Sequence, residues 1–370
     1  MKEHEFYMAE AIKQAKKGWG ATNPNPLVGS VIEKDRKILA RGYHEKIGGA
    51  HAEINVLKNL VDLRQAKGAT LYVNLEPCAH YGKTPPCANR LTELGLKRVV
   101  IGMKDPNPKV SGKGIEILKN AGIDVVSGVL EDECTKLNEI FIKYITKKKP
   151  FVILKSAMTM DGKISTRIGD TKWITSDKAR RYVHKLRDRV ASVMIGINTA
   201  ISDNPALNVR LVDQKGMEPY KIVVDSQGRL PIDCKLIKNM KKEHEVILAT
   251  TSKVKEKEYV KRGVLVLKLD GPDGKVDLNL LMDKLYELGI DSVLLEGGST
   301  LNASALGSGI VDKVVTIVAP KIVGGECAKT PVGGQGVDFL IDAIRMKDIS
   351  TRKLGNDIMI EGLILRDGEV

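Results

Sequence analysis

The residues that most constrain this chain are His51-Ala52-Glu53, then Glu76-Pro77-Cys78, and Cys87 nine positions further on. Two thiolates and an imidazole make a three-ligand zinc site whose fourth position is left for water. A fold that accommodates them must bring these three donors to one point. Zinc lowers the pKa of bound water to about 7, which supplies hydroxide at neutral pH. Glu53, two residues beyond the histidine at the expected start of a helix, can stand beside the metal without ligating it and move the proton. This is the donor set of zinc deaminases, where a glutamate is general acid and base for attack on an amino-bearing ring carbon. A structural zinc site takes four protein ligands, and the other nearby donor is His80. That reading also leaves Glu53 without a task.

At 370 residues, two or three domains are expected. Residues 1–147 alternate helical and strand patterns. Met8, Ala11, Ile12 and Ala15 recur at helical spacing. A strand pair is expected near Leu27–Ile32 and Ile38–Arg41, a helix over Ala52–Leu60, and strands over Thr70–Leu75 and Arg98–Gly102. Leu137, Phe141, Ile142 and Ile145 mark a single closing helix. Lys147-Lys148-Lys149-Pro150 then breaks the pattern, so a first domain is placed over 1–147 and a second over 150–370. In the second, short apolar runs begin at Phe151, Ser192, Lys221, Val246, Val264, Ser292 and Lys313. With helices between several of them, they predict an open, mostly parallel sheet.

The composition narrows the function classes. No apolar run approaches the ~18 residues of a membrane span, and the first residues do not read as a signal peptide. Five cysteines are too few for a disulfide framework, which implies a reducing, cytoplasmic setting. The net charge of +13 is spread over both halves. It therefore suits phosphorylated small molecules at least as well as nucleic acid. Aromatic residues make up only 4%, too few for a base-stacking surface.

Between Cys78 and Cys87 lies Ala79-His80-Tyr81-Gly82-Lys83-Thr84-Pro85-Pro86, a wider spacing than in cytidine deaminases. With Asn25-Pro26-Leu27-Val28-Gly29 before it and Asp105-Pro106-Asn107-Pro108 after it, this half resembles the deaminase part of the bifunctional riboflavin-biosynthesis deaminase/reductases. The resemblance implies a cytidine-deaminase-like α/β/α domain that removes the 2-amino group of a diamino-ribosylamino-pyrimidinone 5′-phosphate. Asn25 offers a donor and an acceptor for a pyrimidine edge or ribose hydroxyl; an Asx turn before proline explains it equally well. His44 and Lys83 are assigned to the substrate's ribose or phosphate, although a satisfied surface histidine is the alternative for His44. Cys134 reads as core.

The second half contains Lys155-Ser156-Ala157, Met160-Asp161-Gly162-Lys163, Trp173-Ile174-Thr175-Ser176, Gly196-Ile197-Asn198-Thr199, Asp203-Asn204-Pro205 and Glu296-Gly297-Gly298-Ser299. The last follows a strand and opens a helix, an arrangement that aims backbone N–H groups at an anion. In this order the stretches resemble the reductase half of the same family, with a dihydrofolate-reductase-like α/β domain and NADPH as cofactor. The resemblance implies that Ala157, Trp173, Thr199, Asp203, Ser226, Gly298, Ser299, Thr300, Leu301, Asn302, Ala303 and Ser304 line the NADPH site. It places Thr171, Arg187, Leu207, Arg210 and Glu296 on substrate, with Lys155 beside them. Arg187 and Arg210 have planar forks suited to a phosphate, and Lys155 can polarise and protonate the reacting carbonyl. The NADPH 2′-phosphate is assigned to the loops holding Ser226, Arg229 and Lys253, with Asp225 turned away.

The expected function is hydrolytic deamination at one zinc per chain, then NADPH-dependent reduction of the ribosyl side chain to ribityl. The substrates are phosphorylated pyrimidines, the enzyme a homo-oligomer without nucleic-acid or membrane partners. The competing reading is a zinc deaminase acting on RNA, with residues 151–370 as a nucleic-acid-binding module.

Overall fold

The computed structural model describes residues 2–79, 86–108, 110–213, 216–252, 254 and 256–366. His80, Lys83 and Lys253 lie outside them. The chain forms two compact units, Met1–Lys148 and Lys149–Val370.

The first unit runs α1 (Lys2–Ala15), β1 (Gly29–Lys34), β2 (Lys37–Tyr43), α2 (Ala52–Lys58), β3 (Thr70–Leu75), α3 (Cys87–Thr92), β4 (Arg98–Met103), α4 (Lys113–Asn120), β5 (Asp124–Ser127), α5 (Glu131–Leu137) and α6 (Glu139–Lys147). The sheet order is β2-β1-β3-β4-β5. The hairpin β1–β2 and the pair β1–β3 are antiparallel, whereas β3, β4 and β5 run parallel. Asp35 and Arg36 turn the hairpin, both at positive φ, as a two-residue turn matched to strand twist requires. Met8, Ala11, Ile12 and Ala15 form the buried face of α1. That helix rides so close to the sheet that a Cβ on Gly29 would sit 2.2 Å from the Ala11 carbonyl oxygen.

The single closing helix expected from the sequence is two helices. They meet at Asn138, a buried residue whose side-chain oxygen accepts from Leu27 N at 2.8 Å and whose nitrogen donates to Leu27 O at 3.1 Å. An amide committed to another segment's backbone lets the helix path break there. Strand β5 was not foreseen; at four half-exposed residues it leaves no apolar run to read.

The second unit runs β6 (Phe151–Thr159), α7 (Asp177–Arg189), β7 (Ser192–Gly196), α8 (Ile197–Asp203), β8 (Tyr220–Val224), α9 (Lys235–Lys238), β9 (Val246–Thr250), α10 (Lys257–Lys261), β10 (Leu265–Lys268), α11 (Leu278–Glu287), β11 (Ser292–Leu295), α12 (Ser299–Gly307), β12 (Lys313–Ala319), β13 (Met346–Leu354) and β14 (Asp357–Ile364). The sheet order is β10-β9-β8-β7-β11-β6-β12-β14-β13. It is parallel from β10 to β12; β14 and β13 are added antiparallel. Val152, Leu154, Met194, Ile222, Val293 and Leu295 of the strands pack with Leu281 and Leu285 of α11. The final hairpin escaped the sequence reading because β13 is mostly exposed and polar. No described helix is long and apolar enough to cross a membrane.

We propose that the first unit is an independent domain. A fragment ending at Lys148 is expected to unfold cooperatively and to bind about one zinc. A fragment that stays unfolded in the presence of zinc contradicts the boundary.

Candidate active sites

In the first unit the chain brings together His51 Nδ1, Cys78 Sγ and Cys87 Sγ, all within 4.8 Å of one another. Nδ1 is 3.5 Å from Cys78 Sγ and 3.3 Å from Cys87 Sγ. Zinc bonds of ~2.0–2.3 Å at tetrahedral angles require donor separations of about 3.5–3.8 Å, so the donor set fits that ion. His51 is the residue before α2, in extended conformation. Cys78 lies just beyond β3, and Cys87 opens α3. The Cys87 backbone N–H donates to Cys78 Sγ at 3.3 Å. Hydrogen bonding from the Cys87 thiol, with a smaller contribution from His51, holds the Cys78 thiol well below its ordinary value against the opposing effect of burial, so it is ready as a thiolate ligand.

Glu53 is on the first turn of α2 and only 3% exposed. Burial pushes its carboxyl up to about 7; the neighbouring Cys78 adds to the rise, and His51 opposes it. A buried carboxyl beside three metal donors, poised between its two protonation states, is suited to proton transfer.

Two features hold this geometry. Ser30 Oγ donates to the Ala52 carbonyl at 2.7 Å, tying α2 to the sheet. A Cβ on Gly42 would lie 2.3 Å from Val56 N, so only glycine lets β2 pack this closely under α2. Sequence reasoning missed Glu76, a buried carboxylate. It accepts backbone N–H groups from Asp105 at 3.1 Å, Gly112 at 3.0 Å, Gly114 at 2.9 Å and Ile115 at 3.3 Å. It thereby binds the end of β3, which leads to Cys78, to the 105–115 segment. A Glu-Pro-Cys triplet is a local signal, but nothing local says that its carboxylate is bound by four amides about thirty to forty residues away.

His44 is buried at 3% exposure, its ring 5.8 Å from that of His51. Its Nδ1 donates to the Ala50 carbonyl at 3.0 Å, and its Nε2 accepts from Asn25 Nδ2 at 3.1 Å. Both ring nitrogens are thus engaged within the protein, and His44 supports Asn25. Asn74 and Asn138 fix the backbone of Leu27, two residues beyond Asn25.

In the second unit a cavity of about 1260 Å³ opens at the ends of β6, β7, β8 and β11. Strand β11 inserts between β7 and β6, while β8, β9 and β10 extend outward from β7. A crevice at such a reversal of strand order is where open α/β sheets bind ligands. Its wall includes Lys155, Ala157, Thr171, Arg187, Thr199, Asp203, Leu207, Ser226 and Glu296. Gly298, Ser299, Thr300, Leu301, Asn302 and Ser304 are also in it.

Three expected residues are not in that wall. Trp173 is 60% exposed and stacks with the Arg180 guanidinium, 4.4 Å from the ring centroid. Arg210 is exposed beyond the rim, with Nη1 donating to Asn208 Oδ1 at 3.4 Å. Ala303 is on the other side of α12, facing Gly334, because residues 300, 301 and 304 take the cleft face.

The fork of Arg187 is also used differently from the expectation. Nε donates to Glu296 Oε1 at 2.6 Å, Nη2 to Glu296 Oε2 at 3.1 Å, and Nη1 to the Asn208 carbonyl at 3.2 Å. Three of its five N–H donors are thus committed inside the protein. Lys155 Nζ is 3.7 Å from Glu296 Oε2. Burial pulls the Lys155 ammonium down, and Glu296 partly opposes this. Burial alone would push the Glu296 carboxyl up, but Arg187 and Lys155 outweigh it and hold it at about 2.

The same cleft fits a dinucleotide. Glu296 leads into Gly297 and Gly298, and α12 begins at Ser299. A Cβ on Gly298 would lie 3.1 Å from Thr199 Oγ1, and one on Gly297 would lie 2.6 Å from Asn302 Oδ1. That Asn302 oxygen is buried and without a partner among the described residues. A bare glycine backbone at a helix start, with an unsatisfied buried acceptor close by, suits a cofactor carrying phosphates and an amide.

Residues 1–103 match the family model for the cytidine and deoxycytidylate deaminase zinc-binding region, and residues 150–360 match that for the RibD C-terminal domain. The second match replaces the nucleic-acid-binding module of the competing reading. The riboflavin biosynthesis protein RibD of Actinobacillus pleuropneumoniae is 48% identical over 97% of this chain and 95% of its own length. That of Aquifex aeolicus is 41% identical over 96% of each. Among solved structures, Acinetobacter baumannii RibD aligns with a TM-score of 0.88 at 37% identity, covering 99% of both chains. A diaminohydroxyphosphoribosylaminopyrimidine deaminase/5-amino-6-(5-phosphoribosylamino)uracil reductase from Thermotoga maritima aligns with a TM-score of 0.88 at 39% identity. It covers 98% of this chain and 99% of its own.

Proposed function

The chain belongs to the RibD family of bifunctional riboflavin biosynthesis proteins, and from that premise we propose how its own residues divide two reactions between two sites. It is a zinc-dependent deaminase and an NADPH-dependent reductase. The first reaction deaminates 2,5-diamino-6-ribosylamino-4(3H)-pyrimidinone 5′-phosphate. The second reduces the ribosyl side chain of the resulting aminouracil to ribityl.

In the deaminase, His51, Cys78 and Cys87 hold zinc, which supplies the Lewis acidity that makes water a nucleophile at neutral pH. Glu53 takes a proton from the water as its oxygen adds to the amino-bearing ring carbon. Glu53 passes that proton to the adjacent ring nitrogen, then carries the second one from the new hydroxyl to the amino group; the C–N bond breaks, ammonia leaves and the oxygen remains as the ring carbonyl. Asn25, held by His44, meets the pyrimidine edge or ribose, and Lys83 meets the ribose or phosphate. The observation that carries this reading is the buried Glu53 carboxyl beside a three-donor set.

In the reductase, NADPH supplies the hydride. Lys155 donates the proton that accompanies hydride addition at C1′ of the opened ribose. Glu296 holds Lys155 in place and balances its charge. Arg187 anchors Glu296, and Arg210 is left to reach the substrate phosphate. Ala157, Thr199, Asp203, Ser226, Gly298 and the cleft face of α12 (Ser299, Thr300, Leu301, Asn302 and Ser304) hold the cofactor, with Thr171 and Leu207 on the substrate side. We assign the enzyme to a reducing, cytoplasmic compartment, since five cysteines, two of them zinc ligands, do not make a disulfide framework.

Glu53→Gln is expected to lower the rate of ammonia release by about 10²–10⁴-fold while zinc content stays at wild-type level. Loss of zinc from this variant would make Glu53 a ligand. Reduction of supplied deaminated substrate is expected to survive.

Cofactor choice is assigned to the loop after β8. Asp225 is buried, and its carboxylate accepts from Gln227 N at 3.3 Å and Leu230 N at 2.8 Å, so it is engaged by its own loop. Ser226 Oγ accepts from Val276 N at 3.1 Å and keeps its proton to donate. Arg229, on the cleft wall, reaches Asn198 Oδ1 at 3.1 Å. Arg229→Ala is expected to cost about tenfold or more in kcat/KM with NADPH and little with NADH. Equal losses with both cofactors place the 2′-phosphate elsewhere.

Self-association is assigned to residues 337–349, where Val337, Phe339, Leu340, Ile341, Ile344 and Ile349 are each at least half exposed. Phe339→Asp with Leu340→Asp is expected to lower the mass seen in sedimentation to that of one chain. A mass of one chain for the unaltered protein removes the assignment.

A further inference from the structure

The segment 207–210 carries Leu207 into the reductase cleft and ends at the exposed Arg210. Leu207 sits at a φ of 51° although it is buried and not glycine. A leucine in the left-handed region persists only where its surroundings hold it there. Helix α7 supplies the hold through two side chains one turn apart, a spacing that puts both on one face. Arg187 donates to the Asn208 carbonyl at 3.2 Å. His184, only 5% exposed, accepts the backbone N–H of Arg210 on its Nδ1 at 3.4 Å, and the backbone of Asn208 is its second partner.

Three charged groups face His184: Arg187 on its own helix, Arg210 on the segment it holds, and Glu296 at the end of β11. Burial, then the two arginines, pull the imidazole down to about 4, against the pull of Glu296. The ring is therefore neutral at physiological pH, which leaves Nδ1 with the lone pair that the Arg210 amide uses. Arg187 alone cannot do this work, because a guanidinium has donors and no acceptor.

We propose that His184 is a positioning residue of the reductase: by accepting the Arg210 amide from α7 it fixes the 207–210 segment and thereby the seat of the phosphorylated substrate. The proposal rests on the reading that this segment meets substrate.

The test uses the full-length protein with His184→Asn, His184→Gln, His184→Leu and Arg210→Ala. Asparagine can place its carbonyl where Nδ1 stands, whereas the glutamine carbonyl falls a methylene further out. The measurements are kcat and KM for the deaminated substrate, NADPH affinity by fluorescence quenching, and ammonia release. KM is expected to rise by about tenfold in His184→Gln and His184→Leu. It should stay near wild type in His184→Asn, with NADPH affinity and ammonia release unchanged in all three. Equal KM values for the asparagine and glutamine variants overturn the proposal even if the leucine variant does not fold. So does a parallel loss of NADPH affinity, which would mark general damage to the cleft. Arg210→Ala separates the premise: an unchanged KM there shows that the segment does not meet substrate. A raised KM there with unaffected His184 variants rejects only the role of His184.

Discussion

Three donor atoms from residues 51, 78 and 87 must converge within 4.8 Å, and much of the first unit is arranged to make them do so. Each donor stands at the edge of a regular element, where the backbone changes direction and a side chain can point away from the core. Those elements are held by interactions that tolerate little change. The Ser30 hydroxyl fastens α2, Gly42 admits it close to β2, and the Glu76 carboxylate ties the end of β3 to four backbone amides. A ligand set assembled this way keeps a general base correctly placed beside it. The same burial that fixes Glu53 also raises its proton affinity, so position and chemistry share one cause.

The second unit solves a different problem, that of keeping largely buried charged side chains in the wall of a cleft. A buried lysine is costly and a buried carboxylate more so, unless each has a partner. Glu296 takes two guanidinium contacts from Arg187 and lies 3.7 Å from Lys155, so one carboxylate faces two cations. A surplus of one positive charge is retained where an anionic phosphate ester and a developing oxyanion are expected. Removing Glu296 would leave two uncompensated cations in the wall, so the cluster behaves as one unit under mutation.

Much of this was legible in the sequence, for reasons that differ by residue. His51, Cys78, Cys87 and Glu53 could be read because metal chemistry restricts residue type and spacing together. Strands β9 and β11 could be read because buried parallel strands are nearly continuous apolar runs. What escaped depends on contacts distant in sequence. The break at Asn138 is made by Leu27, and the four amides that bind Glu76 come from a distant segment. The arginine fork at 187 looks free in a basic helix until β11 brings Glu296 against it. Trp173 and Ala303 illustrate the limit of motif matching, which fixes a neighbourhood and not the direction of a side chain. Strands β5 and β13, half-exposed or mostly exposed, carry no apolar run longer than two residues.

The central claim is that one chain performs two consecutive reactions on one phosphorylated pyrimidine. The most direct measurement is mass analysis of the products after incubating the zinc-loaded protein with the diaminopyrimidinone phosphate, with and without NADPH. The account predicts that without NADPH an amino group is exchanged for oxygen and the reaction stops there. With NADPH the product gains two further hydrogens, with matching oxidation of the cofactor. An unchanged substrate in the absence of NADPH, or a deaminated product that NADPH leaves unreduced, would contradict it.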